Sequence, residues 1–234
     1  MNRFIFDVDG TLTPSRRKMD KDFSNWFEHF ATHNPVYLVT GSDREKTIEQ
    51  VGSQIYNLAM RVYNCSGNDV YEQNKCIYSN NWTLPEDAEK WLLTEMEASK
   101  FVLRTGNHIE KRPGMVNFSV VGRNATLGER KLYVDYDIQT NERNTIAKEF
   151  NRQFFEIDAK PGGETGIDIA PFGCDKSQIL KDFTEDDNII FFGDRMDPQG
   201  NDYPLSSKNK GTNYHVKEWR HTWEILNENF TNRT

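Results

Sequence analysis

The chain has 234 residues, enough for one large domain or two small ones with a buried core. It is 36% hydrophobic and 12% aromatic with a mean hydropathy of −0.80, as in an ordered polar protein, and no stretch approaches the roughly 18 apolar residues of a membrane helix. The net charge of −7 argues against general nucleic-acid binding, which requires a broad basic surface.

The cysteines and the first residues predict a cytoplasmic protein. Cys65, Cys76 and Cys174 are odd in number and widely spaced, so they fit neither a zinc site nor a disulfide framework and are expected to be reduced. Only residues 1–3 precede the first apolar run, and the pattern of a signal peptide is missing there.

Residues 1–80 alternate between strand and helix patterns. Aromatic residues from Phe23 to Phe30 recur at helical spacing, and Ser42 followed by Glu45 predicts a capped helix that ends near Gly52. Apolar runs predict three strands and a hairpin, at residues 3–8, Val36–Val39, Arg61–Asn64 and 70–78. Strands separated by helices of this length favour a parallel sheet with right-handed crossovers.

The pattern changes near residue 81. Pro85 begins an amphipathic helix, and Ile146, Phe150 and Phe154 define another. Strands are predicted at residues 101–103, 108–111, 115–121, 155–158 and 166–169. After Asp175 the first rhythm returns, with a helix at 176–183, a strand at 188–192 and a last helix that carries Trp219, Trp223 and Leu226.

These patterns predict an α/β fold interrupted by an insertion. The core is expected to be Rossmann-like with a parallel sheet, and to comprise residues 1–80 and 175–234. The insertion, residues 81–174, is expected to be an α+β domain with a largely antiparallel sheet.

The strongest chemical motif, Asp7-Val8-Asp9-Gly10-Thr11, follows the first strand, where ligands bind in a parallel α/β sheet. Asp7 could attack phosphorus while Asp9 protonates the leaving oxygen and later deprotonates an acceptor. A turn with two capping aspartates is one alternative. A Ca²⁺ loop is another, but it fails because its sixth and twelfth positions hold Leu12 and Lys18 instead of Gly and Glu.

Two further residues suit the same chemistry. Thr40 ends the second strand, where a hydroxyl at a helix start can hold a phosphoryl oxygen, although an ordinary helix cap explains it equally well. Lys176 begins a helix and can offset charge on the nucleophile and the phosphoryl group, although a single lysine is usually a surface residue.

Acidic residues at the strand ends predict a magnesium site. Asp194 ends the strand at 188–192, and Asn201 and Asp202 follow closely. Mg²⁺ takes one or two carboxylates together with phosphate and water oxygens. We expect Asp7, Asp194 and the backbone carbonyl of Asp9 as ligands, with Asn201 and Asp202 as further candidates.

These four pieces occur in the order typical of the haloacid dehalogenase (HAD) superfamily, whose members transfer phosphoryl groups through an aspartate. Arg112, Arg123 and Arg130 in the insertion could bind a phosphate that is not being transferred, because guanidinium groups bind phosphate bidentately. Surface ion pairs are the alternative role for these arginines.

Over nearly its whole length the chain resembles the eukaryotic-type phosphomannomutases of that superfamily. The matching stretches are 6–14 with Arg16, 41–45 with Glu49-Gln50, 104–117, Gly122-Arg123, Glu129-Arg130, Gly162-Gly163, Asp168, Asp175-Lys176 and 191–202. The resemblance implies a Mg²⁺-dependent isomerase that moves phosphate between C1 and C6 of mannose through an aspartyl-phosphate and a hexose 1,6-bisphosphate, which also acts as activator.

The resemblance also implies a C2-type cap formed by residues 81–174, which sets specificity and through which family members dimerise. The family's sugar-phosphate positions correspond here to Arg16, Arg112, Asn117, Arg123, Arg130 and Asp168. Gly166 stands where the family usually has Ser, Thr40 where it often has Gly, and the loop 194–200 departs in its middle. Two alternatives stay open: a sugar-phosphate phosphatase with the same nucleophile, and a non-catalytic sugar-phosphate or metal-binding protein.

Overall fold

The computed structural model describes residues 1–230, which form two compact units. The core unit comprises residues 1–79 and the segment from Asp175 onward, and the inserted unit comprises Asn80–Cys174. The predicted first segment of the core ended one residue later, at residue 80. Residues 231–234 of the predicted core lie outside the described residues.

Eleven strands and seven α-helices lie within the described residues. The strands are β1 Asn2–Phe6, β2 Val36–Val39, β3 Arg61–Asn64, β4 Asp69–Glu72, β5 Lys75–Ser79, β6 Ile109–Arg112, β7 Met115–Phe118, β8 Ile157–Gly162, β9 Gly166–Pro171, β10 Asn188–Gly193 and β11 Thr212–His215. The helices are α1 Lys21–His33, α2 Arg44–Leu58, α3 Glu86–Ala98, α4 Leu127–Thr140, α5 Glu142–Gln153, α6 Tyr203–Lys208 and α7 Trp219–Phe230.

The core unit contains a seven-stranded sheet in the order β11-β10-β1-β2-β3-β4-β5. The five strands from β11 to β3 pair in parallel, and the β4–β5 hairpin continues the sheet in antiparallel pairing. Both faces of β1 are covered, because Phe4 and Phe6 belong to one apolar cluster and Ile5 to another, all nearly inaccessible. The α/β prediction is confirmed, and β1 is a central strand.

The inserted unit contains a four-stranded antiparallel sheet in the order β6-β7-β9-β8. Side chains from β7 and β9 such as Phe118 and Ile169 pack into one buried cluster with Tyr133 of α4 and Phe150 of α5. The predicted α+β character is confirmed.

Helix α2 differs from its prediction at both ends. Asp43 is the N-cap, since its side chain accepts from the Lys46 N–H at 2.8 Å, so the predicted Ser42–Glu45 capping box is wrong. The helix continues to Leu58, past a break at Gly52, where φ is +83° and ψ is 151°. Glycine adopts this conformation easily, so the helical pattern is interrupted there but not ended.

Other differences have local causes. Residues 101–103 form no strand, and the Arg104 side chain bonds the carbonyl groups of Met96 and Ser99 beside them. The predicted helix at 176–183 is a 3₁₀ helix at Lys176–Asp182. Helices α4 and α6 and strand β11 were not predicted, since α4 carries apolar residues on more than one face and the other two elements are short and polar. Within residues 1–230, every helix is too short or too polar to cross a membrane.

Candidate active site

The parallel sheet brings three predicted site residues to one edge. β1 lies between β10 and β2 in parallel register, so Asp7, Thr40 and Asp194 follow the carboxyl ends of three adjacent strands. The Asp7 N–H still bonds the Phe192 carbonyl at 2.9 Å, which holds the residue against β10. The edge is therefore built by strand pairing between distant parts of the chain.

Lys176 contacts the proposed nucleophile directly. Its Nζ lies 2.5 Å from Asp7 Oδ1 and 2.7 Å from Asp202 Oδ1, and its side chain is fully buried. Burial lowers the pKa of Lys176, but Asp202 and Asp7 outweigh that effect and raise it above its ordinary value. Lys176 is therefore a cation at neutral pH, and it faces two carboxylates.

Three carboxylates form a group that could hold a metal ion. One oxygen each from Asp7, Asp194 and Asp202 lies within 4.8 Å of the others. Burial raises the pKa of Asp194 to about 6, with Asp202 adding to the effect, and burial also raises the pKa of Asp7 well above its usual value. Three carboxylates beside one lysine leave negative charge that a divalent cation would offset, and carboxylate oxygens suit Mg²⁺.

Two glycines make room for this group. A Cβ on Gly10, where φ is +81°, would overlap the Asp194 carboxylate, and a Cβ on Gly193 would lie 2.6 Å from Asp202 Oδ2. Asn201 adjoins Asp202 in the same loop. The roles of Asn201 and of the Asp9 carbonyl as ligands stay predictions.

Asp9 accepts hydrogen bonds from three donors. The backbone N–H of Arg16 lies 2.5 Å from Asp9 Oδ1, Gln50 Nε2 lies 2.9 Å from the same oxygen, and Ser42 Oγ lies 3.4 Å from Oδ2. Gln50 and Ser42 are not among the predicted site residues, and Ser42 was expected only as a helix cap. Thr40 is buried, and its Oγ1 accepts from the Ser42 N–H at 3.1 Å, so it contacts the loop that faces Asp9.

In the inserted unit, Glu110 joins two of the predicted arginines. Arg112 Nε lies 2.7 Å from Glu110 Oε1, and Arg123 Nε lies 2.6 Å from Glu110 Oε2. Burial opposes the effect, but Arg112 and Arg123 lower the pKa of Glu110. Arg130 lies apart from this pair in α4, and its Nη2 is 3.1 Å from Glu164 Oε2.

A row of polar residues crosses the antiparallel sheet. Glu110, Asn117 and Asp168 are directly paired across β6, β7 and β9, so their side chains share one face. Asn117 Nδ2 donates to Asp168 Oδ1 at 2.6 Å, while Asn117 Oδ1 is buried without a hydrogen bond. A Cβ on Gly166 would lie 2.5 Å from Asn117 Nδ2, so the glycine leaves room for this amide. We call Glu110, Asn117 and Asp168 the polar row.

The chain matches known proteins over nearly its whole length. A family model described as eukaryotic phosphomannomutase matches residues 23–232. The chain is 31% identical to a phosphomannomutase of Drosophila melanogaster, over 96% of this chain and 93% of that protein. It is 30% identical to a phosphomannomutase of Spinacia oleracea, over 97% of this chain and 94% of that protein.

Solved structures show a similar fold at low sequence identity. The C-terminal domain of C. albicans trehalose-6-phosphate phosphatase superposes with a TM-score of 0.67 at 15% identity, over 97% of this chain and 91% of that one. Plasmodium falciparum IMP-nucleotidase superposes with a TM-score of 0.66 at 16% identity, over 97% of this chain and 69% of that one. Likeness at this identity concerns the fold alone.

Proposed function

Because this chain belongs to the eukaryotic phosphomannomutase family, we propose that it interconverts mannose 1-phosphate and mannose 6-phosphate, with Asp7 as the nucleophile. The observation that carries the proposal is the buried contact of Asp7 with Lys176 beside Asp194 and Asp202. A carboxylate at a strand end, paired with a buried cation and surrounded by metal-binding oxygens, is suited to attack phosphorus.

After Asp7 has been phosphorylated once by a bisphosphate, each cycle of the reaction consists of two transfers. A hexose 1,6-bisphosphate phosphorylates Asp7: the bond from an Asp7 oxygen to phosphorus forms, the bond from phosphorus to the sugar oxygen breaks, and Asp9 gives that oxygen a proton. Mannose 1-phosphate then binds, Asp9 takes the proton of its C6 hydroxyl, and this oxygen forms a bond to phosphorus as the bond from phosphorus to Asp7 breaks. The resulting bisphosphate turns around and returns its C1 phosphate to Asp7, which yields mannose 6-phosphate.

Charge is the main obstacle to these transfers. Lys176 offsets charge on Asp7 and on the approaching phosphoryl oxygens. Asp7, Asp194 and Asp202 would hold Mg²⁺, with the Asp9 carbonyl and Asn201 as further ligands, and the bound ion would neutralise phosphoryl oxygens.

We propose that arginines bind the phosphate that is not being transferred. Glu110, a member of the polar row, orients Arg112 and Arg123. Arg16 and Arg130 are the other proposed contacts with this phosphate. A mutase needs this second phosphate site and must keep water from the aspartyl-phosphate, whereas a phosphatase admits water. The three inserted arginines therefore favour the mutase over the phosphatase alternative.

The test supplies mannose 1-phosphate, Mg²⁺ and a catalytic amount of hexose 1,6-bisphosphate. We expect mannose 6-phosphate as the product, detected by a coupled dehydrogenase assay or by phosphorus NMR. Release of free phosphate without mannose 6-phosphate would identify a phosphatase. Binding of sugar phosphate without turnover of any phosphate ester would identify a non-catalytic protein.

We further propose a homodimer formed through the inserted unit. Leu127, Val134 and Ile138 follow one another at spacings of seven and four residues, so they lie on one face of α4. Leu127 and Ile138 are 73% and 76% exposed. Aliphatic residues repeated on one helix face are typical of a helix that packs against another copy. The cytoplasm, where thiols stay reduced, is the proposed location, because the three cysteines are odd in number and too widely spaced in the sequence for a disulfide framework.

A further inference from the structure

Gln50 is buried next to the proposed acid–base residue. It is 2% exposed, and its Nε2 donates to Asp9 Oδ1 at 2.9 Å and to Thr13 Oγ1 at 3.2 Å. A buried amide at this position excludes water from one side of the Asp9 carboxylate. The contact spans 41 positions in the chain, so it is a product of the tertiary fold.

The backbone around Gln50 is arranged to permit this contact. Helix α2 breaks at Gly52, two residues later, with φ +83° and ψ 151°. A Cβ on Gly52 would meet no atom within 4 Å, so glycine is required there for its backbone conformation and not for space. The main-chain carbonyl of Gln50 accepts from the Met19 N–H at 2.8 Å, so Gln50 is bonded to the 9–19 segment by main chain and side chain.

The same segment supplies a second donor to Asp9. Arg16 has a φ of +56°, a left-handed conformation that a residue with a side chain adopts only at an energetic cost. Its N–H lies 2.5 Å from Asp9 Oδ1, the oxygen that Gln50 also contacts. Two hydrogen bonds thus converge on one oxygen of Asp9.

The other oxygen of Asp9 is held less firmly. The contact found for Oδ2 is with the Ser42 hydroxyl, at 3.4 Å, and a hydroxyl can rotate away. The two oxygens are therefore unequal: Oδ1 is fixed by two donors, and Oδ2 can meet a substrate hydroxyl. An acid–base group that acts in both transfers must return to one position each time, since small misplacements lower the rate strongly.

We propose that Gln50 is a positioning residue for Asp9: its amide fixes Oδ1 and leaves Oδ2 as the oxygen that exchanges the proton with the sugar. The inference rests on the proposed function of Asp9. It assigns Gln50 no contact with the substrate. Gly52 is required because the break in α2 gives Gln50 its position.

The test compares two phosphoryl donors in Gln50→Met and Gln50→Leu. Mannose 1-phosphate has a leaving oxygen that needs a proton, whereas the nitrophenolate of p-nitrophenyl phosphate leaves without one. We expect kcat for the sugar phosphate to fall about tenfold or more with little change in KM. The rate of the first, burst release of nitrophenolate, which phosphorylates Asp7 and needs neither a proton nor an acceptor, should fall less than about threefold. Gln54→Leu, the same change at an exposed position of α2, is the matched control and should keep both rates.

Gly52→Ala is the second variant, because it strains the backbone without adding a steric overlap. It should show the same selective loss if it unfolds at a temperature close to that of the wild type. An equal fall on both donors in Gln50→Met would assign Gln50 a purely structural role and overturn the proposal. An unchanged kcat for the sugar phosphate in Gln50→Met would overturn it as well.

Failure of the proposed function gives a different result. A wild type that releases phosphate from both donors without forming mannose 6-phosphate is not a mutase. The selective loss in Gln50→Met would then still be measured as phosphate release from mannose 1-phosphate. A wild type inert on both donors would overturn both proposals.

Discussion

At the scale of single residues, the site is a balance of buried charge. Asp7, Asp194 and Asp202 face one cation, Lys176; Asp194 is partly buried and the other three side chains are buried. Burial raises the pKa of Asp7 and that of Asp194, and repulsion from the neighbouring carboxylates raises both further. These carboxylates are therefore expected to destabilise the folded protein when no divalent cation is bound.

Asp7→Asn should abolish activity. The amide cannot attack phosphorus, so we expect kcat to fall on the order of 10⁴-fold or more, measured with mannose 1-phosphate and the bisphosphate activator. The control is Asp186→Asn, the same change at an exposed position of the core unit. Turnover retained by Asp7→Asn would exclude Asp7 as the nucleophile.

Asp194→Asn should separate metal binding from folding. At pH 7.5 without metal, the variant should unfold at a higher temperature than the wild type. The pKa of Asp194 is raised to about 6 in the folded protein, so its negative charge at pH 7.5 destabilises the fold, and the variant removes that charge. Saturating Mg²⁺ should raise the unfolding temperature of the wild type and leave the variant nearly unchanged. Equal stabilisation of both proteins by Mg²⁺ would contradict the assignment of Asp194 as a ligand.

At the scale of elements, the strands explain why most of the site was predictable. β1, β2 and β10 are short, buried apolar runs, and each is followed at once by a polar residue, so the positions of Asp7, Thr40 and Asp194 followed from the parallel sheet. The bounds of β2 match the prediction because apolar residues fill both of its faces, and those of β3 match as well although Arg61 and Asn64 at its ends are polar.

Contacts made by tertiary packing were not predictable in the same way. Gln50 contacts Asp9 across 41 positions of the chain, and a local capping pattern gives no indication of such a contact. Glu110 was missed because its contacts with Arg112 and Arg123 depend on a β-strand and a following loop. Helix α4 begins with a capping box formed by Thr126 and Glu129, a signal that was present in the sequence and overlooked.

Glu110 in β6 should make the stability of the inserted unit depend on pH in the acidic range. The folded pKa of Glu110 lies below its unfolded value near 4.5, so its ion pairs contribute stability above that pH, and the contribution is lost as pH falls through the folded pKa. Glu110→Gln should therefore be less stable than the wild type at pH 7, and the difference should shrink below about pH 4.5. Chemical unfolding at several pH values measures this, with Glu97→Gln, an exposed residue of α3, as control.

A constant difference between Glu110→Gln and the wild type from pH 7 to pH 3.5 would show that the charge of Glu110 does not stabilise the inserted unit. Catalysis offers a second measurement. Glu110→Gln should raise KM for the sugar phosphate more than it lowers kcat, because Arg112 and Arg123 lose the carboxylate that orients them.

At the scale of the whole molecule, the proposed dimer has a direct test. One chain has a mass of 27.3 kDa, and we expect light scattering after gel filtration to give twice that value for the wild type. Ile138→Glu places a charge on the exposed apolar face of α4 and should give the monomer mass at micromolar concentration. Gln139→Glu adds the same charge one residue away and should stay dimeric, while a monomeric wild type would contradict the proposal.

The division of the core unit across the chain has a consequence for its synthesis on the ribosome. β1 emerges well before its neighbour β10, which is encoded roughly 180 residues later, and that separation takes roughly 10 to 40 seconds of elongation at usual rates. Until then β1 has an unpaired apolar edge, and the lysine that will neutralise Asp7 does not exist for most of that time. The nascent chain is therefore a natural client for chaperones that shield strand edges, and slowed translation before residue 188 should increase its aggregation.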